Sequence, residues 1–427
     1  MAISRSGLVV SATAVMLTAV ALIGAGLHLS RQATISEDPK ELVDEVWQII
    51  DKSYVDATFN QVDWQSVRSD YLDRSYTNDQ EAYKAIRDML AQLDDPYTRF
   101  MDPEEYKNMQ IDTSGELTGV GIQLTQDEES KKLIVISPIE DSPAFEAGIL
   151  AQDIIVKIDG ESTKGMDIND AVNLIRGPVG SEVMLTIQRG EEELDFPIQR
   201  AKIEVHPVKA SKQNSPIGDV GYIRLSTFSA NATTEMEEAI EDLEAQDVSG
   251  YILDLRSNPG GLLYASTEIA KMWLDQGDIV STVDRQGETD RQRASNRALT
   301  DKPLVVLVDG GSASASEILS GALQDNDRAT LVGTKTFGKG LVQSVRPVGE
   351  GSGLAVTIAK YFTPDGRDIN NEGIQPDFEL ELSDEQREEL RKDRTKIGTS
   401  ADPQYAKAFE ILTQEIAARQ GKQALVH

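Results

Sequence analysis

The first third of the chain carries apolar residues at helical spacing. One stripe repeats at i, i+4, i+7 and i+8: Leu42, Val46, Ile49 and Ile50. The same spacing returns over residues 83–93, and Asp-Asp-Pro at 94–96 ends that second helix. Because this is the period of an amphipathic helix, the pattern predicts an N-terminal helical segment over 36–110.

The pattern then changes twice. Over 115–204, short β-branched runs are separated by glycine and interrupted by one helix around 167–175, which predicts a mostly β module. Over 205–382, buried strands alternate with helices, which predicts an α/β core. The expected strands are 220–225, 250–255 and 304–308, and the expected helices are 231–245, 264–274 and 313–324. A charged tail over 383–427 contains an amphipathic helix at 403–418, so the fold class is multidomain α/β.

Residues 1–30 have the pattern of a targeting segment. Arg5 supplies positive charge, and the run from Leu8 to Leu29 is apolar or small without a charge. The run is long enough for a signal peptide or for a membrane anchor, and the sequence leaves both open. We expect an exported protein, membrane-associated if the segment is not cleaved. No later stretch of the sequence is apolar enough to span a bilayer.

Charge and composition narrow the chemistry. The formal net charge is −30, from 42 basic and 72 acidic residues, which disfavours nucleic acid as a partner. The chain has no cysteine and three histidines. His28 lies in the targeting segment and His427 is the last residue, so only His206, which begins an extended His-Pro stretch, could serve a folded site. Mechanisms that need a histidine base, a thiolate or a zinc ligand set therefore lack their side chains. We expect no metal and no cofactor.

Three stretches could carry chemistry. Residues 310–317, Gly-Gly-Ser-Ala-Ser-Ala-Ser-Glu, follow a buried strand and open a helix, so a serine hydroxyl would stand where helix amides stabilise negative charge. Capping of the helix is the alternative use of such serines. Lys339 lies between glycines with apolar flanks, and a neutral, buried lysine could serve as a base for serine. A structural, ion-paired lysine is the alternative.

The third stretch is residues 254–261, Asp-Leu-Arg-Ser-Asn-Pro-Gly-Gly, directly after a strand. Its glycines would let backbone amides approach a substrate carbonyl, although a plain turn explains them too. Residues 333–339 match the first seven positions of a phosphate-binding P-loop. The eighth is Gly340 in place of Ser or Thr, and a strand pattern follows where a helix is needed, which argues against nucleotide binding.

Taken together and in this order, the motifs resemble those of the carboxyl-terminal processing peptidases, also called tail-specific proteases, of the Ser–Lys peptidase family. The matching blocks are residues 311–318, 332–340, 361–366, 373–377 and 93–97. The resemblance implies a serine endopeptidase with a crotonase-like α/β core, which cleaves exported proteins near their C-termini.

The resemblance also implies roles for single residues. Ser314 would be the nucleophile, with Ser312 and Ser316 as rivals, and Lys339 the general base. Gln343, on the same side of a strand as Lys339, would hold its amine. The remaining site residues are the oxyanion amides of Gly260 and Ala315 and the supporting carboxylates Glu317 and Asp325.

Residues 115–204 resemble the PDZ module of these enzymes. Gly119-Val120-Gly121-Ile122 would bind the free, apolar C-terminal tail of a protein substrate through successive amides, while the peptide adds as a strand. Arg176 would link the module to the active site, or else is a surface arginine. Engagement of the module would gate cleavage by assembling the dyad.

Two other classes of function stay open from sequence: a PDZ scaffold without activity, and a serine esterase or amidase acting on small molecules. The compartment (periplasm, thylakoid lumen or cell surface), the substrate, homo-oligomerisation and an activating partner are not determined by the sequence.

Overall fold

The computed structural model describes residues 38–127, 130–139, 142–216, 218–287 and 289–426. The predicted targeting segment, residues 1–30, lies outside the described residues. Throughout 38–426, wherever the chain is described, no helix is both long enough and apolar enough to cross a membrane.

The N-terminal part is helical, as the apolar spacing predicts. It comprises α1 (Pro39–Ser53), α2 (Trp64–Leu72), α3 (Asp79–Leu90), β1 (Arg99–Met101) and α4 (Pro103–Ser114). Side chains at helix starts bind free backbone amides: Asn78 accepts from Glu81 N–H, and Asp102 forms a capping box with Glu105. The buried faces of α1 and α3 form one apolar cluster that includes Leu354 and Val356 of the core.

The middle part is a β-rich module with its own apolar core. Its elements are β2 (Glu116–Gly119), β3 (Ile122–Gln126), β4 (Leu133–Pro138), α5 (Pro143–Glu146), β5 (Ile154–Ile158), β6 (Glu161–Ser162), α6 (Ile168–Ile175), β7 (Glu182–Arg189), β8 (Glu192–Gln199) and β9 (Ala201–Glu204). One sheet has the order β3-β4-β5-β7-β8, with β6 paired to β5, while β2 pairs with β9. The cluster around Val135, Ile155 and Leu185 is separate from the other cores.

The remaining elements form the α/β core and the tail. In chain order they are β10 (Val208–Gln213), β11 (Val220–Leu225), α7 (Ala232–Ala245), β12 (Gly250–Asp254), α8 (Leu263–Trp273), β13 (Asp278–Asp284), β14 (Thr289–Arg293), β15 (Leu304–Val308), α9 (Ala315–Asp325), β16 (Thr330–Gly333), β17 (Leu341–Val348), β18 (Ser352–Phe362), β19 (Phe378–Glu379), α10 (Asp384–Lys392) and α11 (Pro403–Val426). The helix expected at 403–418 thus extends to Val426.

The central sheet has the order β10-β11-β12-β15-β16-β19, parallel except where β10 meets β11. Strands β12 and β15 are buried at every position, which explains their continuous apolar sequence. Helices α7, α8 and α9 cover one face and α11 covers the other. The carboxyl ends of β12 and β15 therefore meet at one edge, where the two glycine-containing loops lie.

A second, antiparallel sheet has the order β1-β18-β13-β14, with β17 also paired to β18. The sequence predicts only the start of β17. In this sheet Arg99 pairs with Ala355 and Met101 with Gly353. The N-terminal segment therefore reaches the sheet that carries the loop of Lys339.

Candidate active site

Ser314 stands at the N-terminus of α9, just after β15. It is half-buried and has φ of +55° and ψ of −111°, an unfavourable conformation for a residue with a side chain. Ser312 and Ser316 are fully buried, and their hydroxyls donate to Leu255 O at 2.8 Å and Asn258 O at 2.9 Å. The two rival serines therefore anchor the loop, whereas Ser314 retains accessible surface.

The buried carboxylate of Glu317 joins the serine loop to the lysine loop. It accepts from the backbone N–H of Ser314 at 2.8 Å, of Gly338 at 2.7 Å and of Lys339 at 2.9 Å, and from Thr336 Oγ1 at 2.6 Å. Four donors satisfy a carboxylate that water does not reach. Glu317 thereby fixes the backbones of Ser314 and Lys339 relative to one another.

The side chain of Lys339 is largely withdrawn from solvent. Its Nζ lies 4.7 Å from the centre of the Tyr97 ring. Burial, and then the charge of Arg99, lower the pKa of Lys339, while Asp95 and Glu317 act in the opposite direction. Burial thus favours the neutral amine, which is the form that can accept a proton.

Ser314 and Lys339 do not hydrogen bond to each other in this structure. The Lys339 amine has no hydrogen-bond partner among the described residues and faces the ring of Tyr97. The buried hydroxyl of Tyr361 lies near Ser314 and donates to the Lys339 carbonyl. A change in the Lys339 side chain is therefore needed before it can take the serine proton.

Gln343 lies on β17, as the strand pattern predicts. Its Nε2 is buried and lacks a hydrogen-bond partner within the described ranges. The hydrogen bond expected between Gln343 and Lys339 is not made, because the amine is turned to Tyr97. An irregularity in the β17–β18 pairing falls between Val342 and Gln343.

Gly260 packs directly against Ser314 and Ala315. Its φ is +101°, and a Cβ at this position would come within 2.7 Å of Ala313 O and 2.9 Å of Ala315 N. The Gly260 N–H donates to Asn258 Oδ1 at 2.9 Å, so one of the two expected oxyanion donors is occupied here. The other, the amide of Ala315, is the first in α9 and has no acceptor within the helix.

The other predicted residues lie farther away. Asp325, at the end of α9, accepts from Asp365 N–H at 3.0 Å and pairs with Arg367, so it supports the turn after β18 and not the dyad itself. Arg176 hydrogen bonds Asn108 of α4, so it joins the PDZ-like module to α4.

The predicted peptide-binding loop, Gly119 to Ile122, connects β2 to β3. Its Val120 and Gly121 carbonyls accept from the N–H groups of Ala144 and Ile139, at 2.8 Å each. These bonds fix the loop at the start of β3, the strand beside which a peptide would add.

Sequence reasoning missed two tyrosines. Tyr97 and Tyr361 both fall within blocks that carry the family resemblance, which was the available signal. Their positions beside Lys339 and Ser314 depend on β1 and β18, whose pairing joins distant parts of the chain.

Three models of known protein families match parts of the chain. Residues 219–380 match the model of peptidase family S41, residues 134–189 that of a PDZ domain, and residues 36–91 that of the tricorn protease C1 domain. The chain belongs to peptidase family S41 and is a serine peptidase that carries a PDZ domain. The predicted family resemblance is confirmed.

The relatives are named for processing of carboxyl termini. A carboxyl-terminal-processing protease of Synechocystis is 45% identical over 93% of this chain and 92% of its own length. Carboxyl-terminal-processing peptidase 2, chloroplastic, of Arabidopsis thaliana is 44% identical over 79% of this chain and 68% of its own. The solved photosystem II D1 C-terminal processing protease is 39% identical, with a TM-score of 0.56 over 80% of this chain and 93% of that one.

Proposed function

We propose that this protein is an exported serine endopeptidase that cleaves protein substrates near a free, apolar C-terminus. The observation that supports it best is the Glu317 carboxylate, which binds the backbones of Ser314 and Lys339 together at the end of the central sheet. Relatives that match most of this chain and most of their own length are named for the processing of carboxyl termini.

The Ser314 oxygen attacks the substrate carbonyl while neutral Lys339 accepts its proton, and the protonated lysine then gives that proton to the leaving amine. Before attack the lysine amine turns from Tyr97 toward Ser314, where Gln343 can bind it. The amides of Ala315 and Gly260 stabilise the oxyanion, once Gly260 N–H is released from Asn258.

The PDZ domain, assigned to 115–204, binds the substrate tail through residues 119–122. Arg176, which directly follows α6, and Asn173 on α6, which donates to Glu104 Oε1 at 2.5 Å, connect the module to α4. Movement of the module on binding can therefore reach β1, which follows the Tyr97 turn and precedes α4. The protease core is crotonase-like and covers 205–382, after the helical segment 36–110 and before the tail 383–427.

The test uses the full chain and a small folded protein with a flexible apolar tail. Wild type is compared with Ser314→Ala, Lys339→Ala and the exposed-serine control Ser69→Ala, on substrates with a free and an amidated terminus. We expect cleavage of the free tail only, by wild type and S69A. Cleavage that survives S314A removes the nucleophile assignment, and equal cleavage of the amidated tail removes recognition of the carboxylate.

A further inference from the structure

Tyr97 brings an aromatic ring from the N-terminal segment to the amine of Lys339. The ring centre and Nζ are 4.7 Å apart, although Tyr97 belongs to the N-terminal segment and Lys339 to the loop before β17. Tyr97 is itself only partly exposed. It lies in the turn between a 3₁₀ turn at Ala91–Leu93 and β1.

Hydrogen bonds attach this turn to β18 of the antiparallel sheet. Asp95 accepts from Tyr97 N–H at 2.9 Å and from Thr98 Oγ1 at 2.7 Å. Thr98 Oγ1 in turn accepts from Thr357 N–H at 3.0 Å, on β18. Since β1 continues the attachment by pairing with β18, the position of the ring is set by the same strand that carries Tyr361.

The charges around the amine do not by themselves favour its neutral form. Arg99 of β1 disfavours protonation, whereas Asp95 of the same turn and Glu317 of α9 favour it, and Tyr361 of β18 is a neutral phenol. Removal of water from around the amine must therefore be the main cause of the lowered pKa of Lys339. An aromatic face attracts a cation, but it replaces only part of the hydration that an ammonium loses on burial.

We propose that Tyr97 is a positioning residue for the base: its ring covers the open side of Lys339, excludes water, and so holds the amine in the form that accepts the Ser314 proton. The inference rests on the proposed role of Lys339 as base. It makes the N-terminal helical segment a part of the catalytic apparatus, since that segment supplies the cover.

The experiment measures the amine directly in the full chain. Trace acetic anhydride modifies neutral lysines, and mass spectrometry reads the labelling of Lys339 at a series of pH values, with Lys52 as internal reference. The variants are Tyr97→Ala, Tyr97→Leu, Tyr97→Phe and, as a control on the packing of the N-terminal segment, Tyr76→Ala.

Loss of the cover in Y97A moves the labelling midpoint of Lys339 to higher pH and lowers kcat/KM at neutral pH roughly tenfold, as less amine is neutral. Y97F keeps the wild-type midpoint, and Y97L, which covers without an aromatic face, gives a midpoint at or below it. Y76A leaves the Lys339 midpoint in place.

A wild-type or lower midpoint in Y97A overturns the proposal, as does an upward shift in Y97L equal to that of Y97A. The labelling needs no catalysis, so it separates this proposal from the proposed function. If Lys339→Ala remains active while Y97A still shifts the midpoint, Lys339 is not the base but Tyr97 does cover it.

Discussion

Arg256 and Asp402 are 146 residues apart in the sequence, and Arg256 Nη2 donates to Asp402 Oδ2 at 2.7 Å. Both side chains are buried. Arg256 also binds Asp254 at 2.6 Å, while Asp402 accepts from the backbone N–H of Gln404 at the start of α11. The first turn of α11 is thus tied to the loop that leads to Gly260.

Asp402→Asn should destabilise the protein by about 3 kcal/mol and lower kcat, because it leaves the buried Arg256 with less compensating charge. Urea unfolding measures the first effect and peptide cleavage the second. The exposed pair of Arg419 and Asp301 supplies the control, since Asp301→Asn should cost less than about 1 kcal/mol. Equal losses of stability in D402N and D301N would show that the buried pair of Arg256 and Asp402 contributes no more than an exposed pair.

Glu317→Gln should lower kcat about 100-fold with a small change in KM. The glutamine amide nitrogen would face N–H donors that now converge on a carboxylate, so the serine and lysine loops would separate. Cleavage of a fluorogenic peptide measures the loss. The matched control is Glu235→Gln, which alters a carboxylate that binds Val208 N–H away from the site. Wild-type kcat in E317Q would contradict this role of the carboxylate.

Gly260→Ala should lower kcat about 100-fold, because the new methyl would collide with Ala313 O and displace an oxyanion amide. Gly190→Ala also places a methyl at a positive φ, +65°, but this methyl meets no atom within 4 Å. It should cost about 1 kcal/mol of stability and little activity. If both variants lose activity equally, the loss in G260A comes from backbone strain and not from the close approach of Gly260 to Ser314.

Lys339→Met should raise the midpoint of thermal unfolding by a few degrees at neutral pH. Burial and then Arg99 lower the pKa of Lys339 in the folded state, so the unfolded chain binds more protons in the window below the ordinary value of 10.5. The stability of wild type therefore rises with pH through that window, whereas that of K339M does not. The gap between the unfolding midpoints of K339M and wild type closes on the alkaline side. Melting at several pH values measures the gap.

The neighbouring exposed lysine provides the control for this experiment. Lys335→Met should give no gain at neutral pH, since Lys335 is half-exposed beside Glu372. A gap between K339M and wild type that stays constant with pH would contradict the linkage.

Tyr361→Phe should lower kcat about tenfold and leave KM unchanged, because it removes the buried hydroxyl that binds the Lys339 carbonyl beside Ser314. Steady-state kinetics measure kcat and KM of the variant. The control is Tyr264→Phe, at an exposed tyrosine. A rise in kcat would instead show that Tyr361 restrains the serine.

Local patterns in the sequence predicted much of the fold. The 3.6-residue spacing predicted α1 and α3, the continuous apolar runs predicted β12 and β15, and the loops after these two strands contain Gly260 and Ser314. The strand after Gly340 was predicted too, and it excludes a P-loop. These features depend on residues close together in the chain, where spacing and side-chain type determine the local structure.

By itself, then, the sequence determined the family, the class of chemistry and the residue types of the site, since histidine and cysteine are too scarce for other bases and nucleophiles. Only the tertiary structure decided which groups meet. The pairing of β1 with β18 places Tyr97 over Lys339, and Arg256 meets Asp402 across 146 residues. The tertiary structure also decided the arrangement of the dyad. Whether Lys339 faces Tyr97 or Ser314 depends on burial and on competing contacts between distant segments, which no local pattern encodes.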